Sequence, residues 1–157
     1  MATENKEAHD AQKGNGAAQQ KDLDAMLRNN DSSATEQTSQ KRYTGSEIVD
    51  LYRSGRRDFE GINAGNANLH GANLIGANLA GAKLFDADLA GANLTRANLA
   101  RADLEDAKLK GANFHGANLA GANLEGANLE GAKLRFANLK GAKLAGAKVR
   151  HIELLMT

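Results

Sequence analysis

Carboxylate and imidazole side chains are the groups of this 157-residue chain whose spacing could support chemistry. Five carboxylates cluster in its central part: Asp86, Asp103, Glu105, Asp106 and Glu125. A pair of carboxylates can act as acid and base in glycoside hydrolysis, and Asp86 and Asp106 are twenty residues apart. His70, His115 and His151 lie far from one another in sequence, and none has a histidine or carboxylate partner at the spacing of a metal site.

Nucleophiles are scarce. The chain contains no Cys, which excludes disulfides, thiolate zinc sites and cysteine nucleophiles. From Arg57 onward Thr95 and Thr157 carry the only hydroxyl groups. The glycines recur regularly and lack the strand–loop–helix context of a phosphate-binding loop, so they are interpreted as turn formers. We therefore expect no enzyme activity, no catalytic residue, no cofactor and no metal.

Charge and hydropathy limit the classes of partner. Lys and Arg number 20 and Asp and Glu 19, so net charge alone predicts no direct binding of nucleic acid. No apolar run approaches the ~20 residues of a membrane span, and the first twenty residues lack the apolar stretch of a signal peptide. These features predict a cytoplasmic protein without a membrane span.

The first part of the chain differs in composition from the rest. Residues 1–42 are polar, and such a segment buries too little apolar surface to offset its ordering entropy, so we predict a disordered tail. Within it, Asp22–Leu27 has apolar residues at helical spacing. Two interpretations stay open for this stretch: a transient helix, or a docking motif that folds on a partner.

A short helix is predicted over Thr44–Gly55. Thr44 and Glu47 have the spacing of a capping box, and Gly55 suits the left-handed residue that ends a helix. Ile48, Leu51 and Tyr52 form one apolar face. This gives three predicted regions: a tail at 1–42, a capping helix at 43–56 and a repeat region at 57–157.

From Arg57 onward the sequence follows an unbroken five-residue period of the form Ala-Asn-Leu-x-Gly. Of its twenty central positions sixteen are Leu, and Ala precedes the centre by two residues in seventeen consecutive repeats. A helix would spread these Leu residues over all its sides, and a flat strand would point successive ones to opposite faces. A chain that turns a corner every five residues instead places Ala and Leu inside and the x-Gly pair at the corner.

These repeats resemble those of the pentapeptide repeat family, whose consensus is Ala-(Asp/Asn)-Leu-x-x. The resemblance covers about residues 57–155 and implies an all-β solenoid, a right-handed quadrilateral β-helix with four repeats per coil and about five coils. The stretch from Ser54 to Ile62 looks like the start of many cyanobacterial members, in which a helix covers the first coil.

A period of twenty residues assigns each outward side chain to one of four faces. One face is flat and nearly uncharged, with Asn78, Asn98 and Asn118 among its residues. The next contains the five carboxylates named above together with Lys83 and Phe85. The fourth face contains Ile75, Arg96, His115, Lys133, Arg135 and Phe136. We interpret the Asn side chains as turn-bonding residues rather than ligands. The candidate protein contacts are Phe85, Asp86, Asp103, Glu105, Asp106, Glu125 and Phe136.

Two functional hypotheses from different classes follow. The first is a non-enzymatic protein-interaction or scaffold module, because repeat solenoids present long rigid surfaces. The second is mimicry of DNA: some members of the family that regulate a topoisomerase such as gyrase are acidic rods that resemble a duplex. The acidic cluster favours mimicry, whereas the repeat region has 12 basic and 10 acidic residues and no loop that interrupts the repeat. Ice binding by the flat Asn and Ala face is a third and weaker hypothesis.

The last residues and the corners give two more expectations. Ile152, Leu154, Leu155 and Met156 are too apolar to lie comfortably in water, and they predict either a frayed end folded on its own coil or a homodimer through the C-terminal coil. Six basic residues near this end would weaken the dimer, so it should strengthen with salt. At the corners, Gly81, Gly121 and Gly141 are expected at positive φ. The side chains that replace Gly elsewhere are expected to avoid it: Asp86, Arg96, Arg101, Asp106 and Phe136.

Overall fold

The computed structural model describes residues 41–152. Within this range the named helix is α1, which spans Gly45–Arg53. The rest forms single-residue parallel β-bridges that, from Asp58 on, join residues twenty positions apart. These bridges form four columns: Asp58–Asn78–Asn98–Asn118–Asn138, Asn63–Lys83–Asp103–Asn123–Lys143, Asn68–Asp88–Lys108–Asn128–Lys148 and Asn73–Asn93–Asn113–Lys133.

Four bridge columns mean that the chain makes four sides before it returns to the same position one layer further on. We call each such twenty-residue layer a coil. Neighbouring coils pair through the backbone: the Leu79 amide donates to the Asn98 carbonyl at 2.7 Å, and the Asn98 amide donates to the Ala77 carbonyl at 2.9 Å. This is the hydrogen bonding of a parallel sheet, with adjacent coils ~4.8 Å apart.

The core consists of the Ala and Leu positions of the repeat, as their two-residue separation predicts. Ala102 and Leu104 are both 0% exposed, and every central residue from Phe59 to Leu134 is buried. Among the described residues the buried set includes no polar or charged side chain. Burial falls off toward the last described coil, where Leu144 is 41% and Val149 45% exposed.

The sequence of α1 accounts for its boundaries. Thr44 is the N-cap, and its hydroxyl and the Glu47 carboxylate form the predicted capping box. The backbone amide of Thr44, followed by Lys41, lowers the pKa of Glu47 because both favour the charged carboxylate. The helix ends at a Ser54 C-cap, and Gly55 follows with a φ of 103°. The predicted span of 44–55 therefore includes the caps as well as the helix.

Three residues of α1 hold the helix against the repeat region. Ile48 is fully buried, and the Tyr52 hydroxyl donates to the Ile75 carbonyl at 2.8 Å. Gly45 packs so closely on the Asn68 carbonyl that a Cβ at this position would overlap it. The helix thus rests on backbone as well as on side chains.

The predicted tail falls almost wholly outside the described residues, as does the Asp22–Leu27 stretch within it. Its last two residues are described. Arg42 forms a parallel bridge to Asn63, and Lys41 forms an ion pair with Glu47 at 3.2 Å. In the structure, therefore, Arg42 pairs with the repeat region and Lys41 contacts the helix, so these two residues belong with the folded part of the chain.

The corners confirm one prediction and contradict another. Gly81 has a φ of 62°, and the Ala82 amide donates to the Leu79 carbonyl at 3.1 Å, as in a type II turn. Gly121 and Gly141 are also at positive φ. However, the five residues expected to avoid positive φ all adopt it, with φ between 54° and 61°: Asp86, Arg96, Arg101, Asp106 and Phe136. That prediction is wrong.

Hydrogen bonding between coils explains the positive φ of these corners. The Asp86 amide donates to the Glu105 carbonyl and the Arg101 amide to the Ala120 carbonyl, both at 2.9 Å. Another backbone conformation would break this bond and shift the turn relative to the next coil. A left-handed residue other than Gly costs roughly 1–2 kcal/mol, which is less than the disruption of two neighbouring coils.

Candidate interaction surfaces

The flat face is occupied by a ladder of side-chain amides. Asn98 donates from its Nδ2 to Asn78 Oδ1 and Asn118 donates to Asn98, both at 3.1 Å. Each Oδ1 also accepts a backbone amide two residues later, as from Ala100 to Asn98 at 3.2 Å. These amides are used in holding turns and coils together, which confirms the interpretation of the Asn residues as turn-bonding.

The five clustered carboxylates lie on one side of the coils, and we call this set the acidic face: Asp86, Asp103, Glu105, Asp106 and Glu125. Asn123 Nδ2 lies 3.2 Å from both Asp103 Oδ1 and Glu105 Oε2, so one amide links two of the carboxylates. Within residues 41–152 no carboxylate of this face is in an ion pair. Lys83 and Lys143 lie in the same bridge column, so this side of the coils presents five carboxylates and two Lys side chains, and its net charge is negative.

Phe85 has a role that its outward position in the repeat did not predict. The residue is half-buried, and its ring occupies the space that a Cβ on Gly65 would fill, one coil earlier. Gly65 is the one Gly of the repeat region that directly follows a central residue. The signal that could have revealed this contact is the twenty-residue register, which places Gly65 directly beneath Phe85 in the preceding coil.

A second charged surface lies on the fourth side, and we call it the basic face: Arg96, His115, Lys133, Arg135 and Phe136. Phe136 is 51% exposed. The His115 ring meets it edge-on at a centroid distance of 5.3 Å, and the Arg135 guanidinium lies 4.9 Å from its centroid. These contacts hold an aromatic ring at the surface between an imidazole ring and a guanidinium cation.

Helix α1 creates a groove of about 640 Å³ against the third side of the coils. Its lining includes Ser46, Asp50 and His70, a residue combination found in hydrolases. The Ser46 hydroxyl, however, lies 3.1 Å from that of Thr44, and His70 Nδ1 lies 3.7 Å from Asp88. The described geometry provides no Ser-to-His hydrogen bond that would activate a nucleophile.

The predicted dimer end is only partly described. Ile152 is half-buried and packs against the core, whereas Leu154, Leu155 and Met156 lie outside the described residues. Leu144 and Val149 of the last described coil are exposed at this end. In the described part of the chain, no helix is long and apolar enough to cross a membrane, and no cluster of metal-ligating residues occurs.

Three solved structures of cyanobacterial pentapeptide repeat proteins are similar to the chain. Rfr23 from Cyanothece 51142 is 37% identical over 58% of each chain, with a TM-score of 0.44. Alr5209 from Nostoc PCC 7120 is 36% identical over 66% of this chain and 74% of its own, with a TM-score of 0.41. HetL, involved in heterocyst differentiation regulation in Nostoc sp. PCC 7120, is 38% identical over 61% of this chain and 54% of its own, with a TM-score of 0.35.

The chain thus spans somewhat more than half the length of Rfr23 and of HetL. A comparison with curated proteins gives no match. The family model of pentapeptide repeats (8 copies) matches four overlapping segments that together extend over residues 58–150, more than half of the chain. The unbroken Ala-Asn-Leu period, the four bridge columns and this match give one conclusion: the chain belongs to the pentapeptide repeat family, whose members form right-handed quadrilateral β-helices.

Proposed function

We propose that this protein is a non-enzymatic protein-interaction module that presents a rigid rod surface. The proposal rests on one observation: outward carboxylates and outward cations lie on different sides of the same β-helix. The Ala and Leu core positions are nearly uniform, whereas the acidic face and the basic face differ in charge and shape. A rigid framework with variable surface residues suits recognition of a macromolecular partner at little entropic cost.

The shape of the surface also favours binding over catalysis. The acidic face is built from the outer side and corners of the coils, so Asp86 and Asp106 lie on a convex surface. Acid and base catalysis needs a concave site that holds a substrate between two groups. A charged convex face instead suits contact with a complementary protein surface.

Capture of partners with matched face variants tests the proposal. Wild-type protein, an acidic-face variant (Glu105→Gln with Glu125→Gln) and a basic-face variant (Arg96→Gln with Phe136→Ala) would be crosslinked in lysate of the source organism. We expect at least one protein that one face variant loses and the other retains. Recovery of the same proteins by all three baits and by an unrelated β-helix would contradict the proposal.

Regulation of a topoisomerase such as gyrase by DNA mimicry is the second candidate. The observation that favours it is the acidic face, whose carboxylates occur in three successive coils and take part in no ion pair within residues 41–152. A supercoiling assay with gyrase measures it directly. An effect that is lost with Glu105→Lys and kept with Arg96→Gln would support mimicry. An absence of any effect at high protein concentration would eliminate it.

Three features of the architecture are also proposals: the number of coils, the role of α1 and the disorder of the tail. We place five coils in the repeat region, α1 as the cap on the first coil, and a disordered tail before it. The Ile48, Tyr52 and Gly45 contacts with the first repeats support the cap. Limited proteolysis of the full chain tests the tail, since cleavage should stop near residue 42. The cytoplasmic location stays a prediction that cell fractionation would measure.

A homodimer through the C-terminal coil is the proposed assembly. Exposed Leu144 and Val149 support it, because apolar core positions at the end of a rod gain by being covered. Sedimentation at several concentrations should show a dimer that strengthens with salt, since added ions screen the basic residues around this end. A monomer at every concentration and salt, or a dimer unchanged by Leu144→Asp, would overturn this assembly.

A further inference from the structure

The acidic face and the basic face lie on opposite sides of the same coils. Residues ten positions apart are half a coil apart, because the bridges repeat every twenty residues. Three residues of the basic face each follow a carboxylate of the acidic face by ten positions. These pairs are Asp86 with Arg96, Glu105 with His115, and Glu125 with Arg135. The two faces are therefore at the same height along the rod.

Each face is also free to make contacts with another molecule. Within residues 41–152, neither the carboxylates of the acidic face nor Arg96, Lys133 and Arg135 take part in an ion pair. The basic face contains no carboxylate, and its Phe136 ring is 51% exposed. An exposed ring held beside Arg135 and His115 adds apolar contact to the charged groups of this face.

We infer that the basic face docks on the acidic face of a second copy of this chain, so that rods associate side by side. A second copy translated sideways, without rotation, brings the two faces together with coil opposite coil. Arg96 and Arg135 are two coils apart, about 9.6 Å, and Asp86 and Glu125 are also two coils apart, so the cations and the carboxylates have the same spacing, a match that an unrelated acidic protein would lack. The inference rests on the proposed interaction function and names one partner for these faces.

This contact is heterologous, because it joins the basic face of one copy to the acidic face of another. In a pair of rods, one basic face and one acidic face therefore stay free. Association can therefore continue beyond a dimer into rows. Exposed ion pairs contribute little individually and are screened by salt, so this association is weak and sensitive to ionic strength. It has the opposite salt dependence from the end-to-end dimer, which distinguishes the two assemblies.

Sedimentation velocity of the full-length protein provides the test. In about 20 mM salt we expect average mass to rise with concentration, and in about 500 mM salt we expect the association constant to fall roughly tenfold or more. Phe136→Ala should weaken association at low salt. The same measurements in the Leu144→Asp variant remove the end-to-end dimer, and a monomer at low salt in that variant, up to the highest soluble concentration, would overturn the inference.

Two charge-reversal variants sharpen the test. Arg96→Glu with Arg135→Glu removes the positive charge of the basic face and leaves the acidic face intact, whereas Glu105→Lys with Glu125→Lys brings the acidic face close to neutral and leaves the basic face intact. Each variant alone should be monomeric at low salt, and an equimolar mixture should associate again because opposite charges then face each other. Circular dichroism and thermal melting check that both variants are folded. If the mixture stays monomeric, lateral docking is wrong, while binding of other partners in the capture experiment would still stand.

Discussion

The contact between Phe85 and Gly65 provides a direct test of coil register. Gly65 has a φ outside the left-handed region, so Ala fits its backbone without strain. The Phe85 ring, however, occupies the position of the added methyl group. Gly65→Ala therefore either overpacks the contact or pushes the ring into solvent, and both outcomes depend on residue 85.

The size of the effect follows from burial. Complete burial of a Phe side chain stabilises by about 1.5–3 kcal/mol, so losing the half-buried ring of Phe85 costs about 1 kcal/mol. Replacement of Gly by Ala where the backbone permits it stabilises by about 0.4–1 kcal/mol through the unfolded state. Gly65→Ala should thus destabilise wild type by up to about 1 kcal/mol. In a Phe85→Ala background, where the methyl group has space, it should stabilise by roughly 0.5 kcal/mol.

Urea unfolding of the four members of this double-mutant cycle measures the coupling as a change in the free energy of unfolding. Ile75→Ala is the matched control, because Ile75 occupies the equivalent repeat position on another side of the rod and is 40% exposed. Its effect should add to that of Gly65→Ala without coupling. If Gly65→Ala has the same effect in the wild-type protein and in the Phe85→Ala variant, the twenty-residue register at this site is refuted.

Three further predictions concern the core, the helix and its cap. Leu104→Asp places a charge in a fully buried position and should lower the free energy of unfolding, measured in urea, by more than about 4 kcal/mol. Glu105→Ala should change it by at most ~0.5 kcal/mol, because Glu105 is exposed. Equal effects would contradict the assignment of Leu104 to the core and Glu105 to the surface. Gly45→Ala should lower the melting temperature although Ala favours helices, because the methyl group meets the Asn68 carbonyl, and a higher melting temperature would contradict this contact. Because the pKa of Glu47 is lowered from its ordinary value of 4.5, its stabilisation is fully present above about pH 4.5 and is lost as pH falls through the folded pKa. The stability difference between wild type and Glu47→Gln should therefore disappear in acid, and a difference independent of pH would contradict a cap that needs the charged carboxylate.

The core was predictable because the repeat gives each coil the same environment. Ala102 and Leu104 are two residues apart in an extended stretch, so both point inward, and the same holds in the coils before and after. The capping box of α1 was also readable, since Thr44 and Glu47 contact each other within one helical turn. In both cases the deciding interaction is either local or repeated in every coil.

The positive φ of Asp86 and its equivalents was not predictable from local preference. A lone Asp or Arg avoids the left-handed region, and a type II turn normally places Gly there. In this rod the Asp86 amide is held by the Glu105 carbonyl of the next coil, so its conformation is set by stacking rather than by the residue itself. The groove between Ser46 and His70 was also missed, because α1 lies outside the period that places every other side chain.

The same stacking determines where function can vary. At the corners the coils accept Asp, Arg and Phe in a backbone conformation suited to Gly, so corner side chains can change at a cost of roughly 1–2 kcal/mol without moving the scaffold. Asp106 and Phe136 are corner residues that occupy opposite charged faces. The rod thus retains surface residues that strain its turns, and the strain is tolerated because neighbouring coils fix the backbone. Residues that a repeat keeps against its own local preference are the first candidates for contact with a partner.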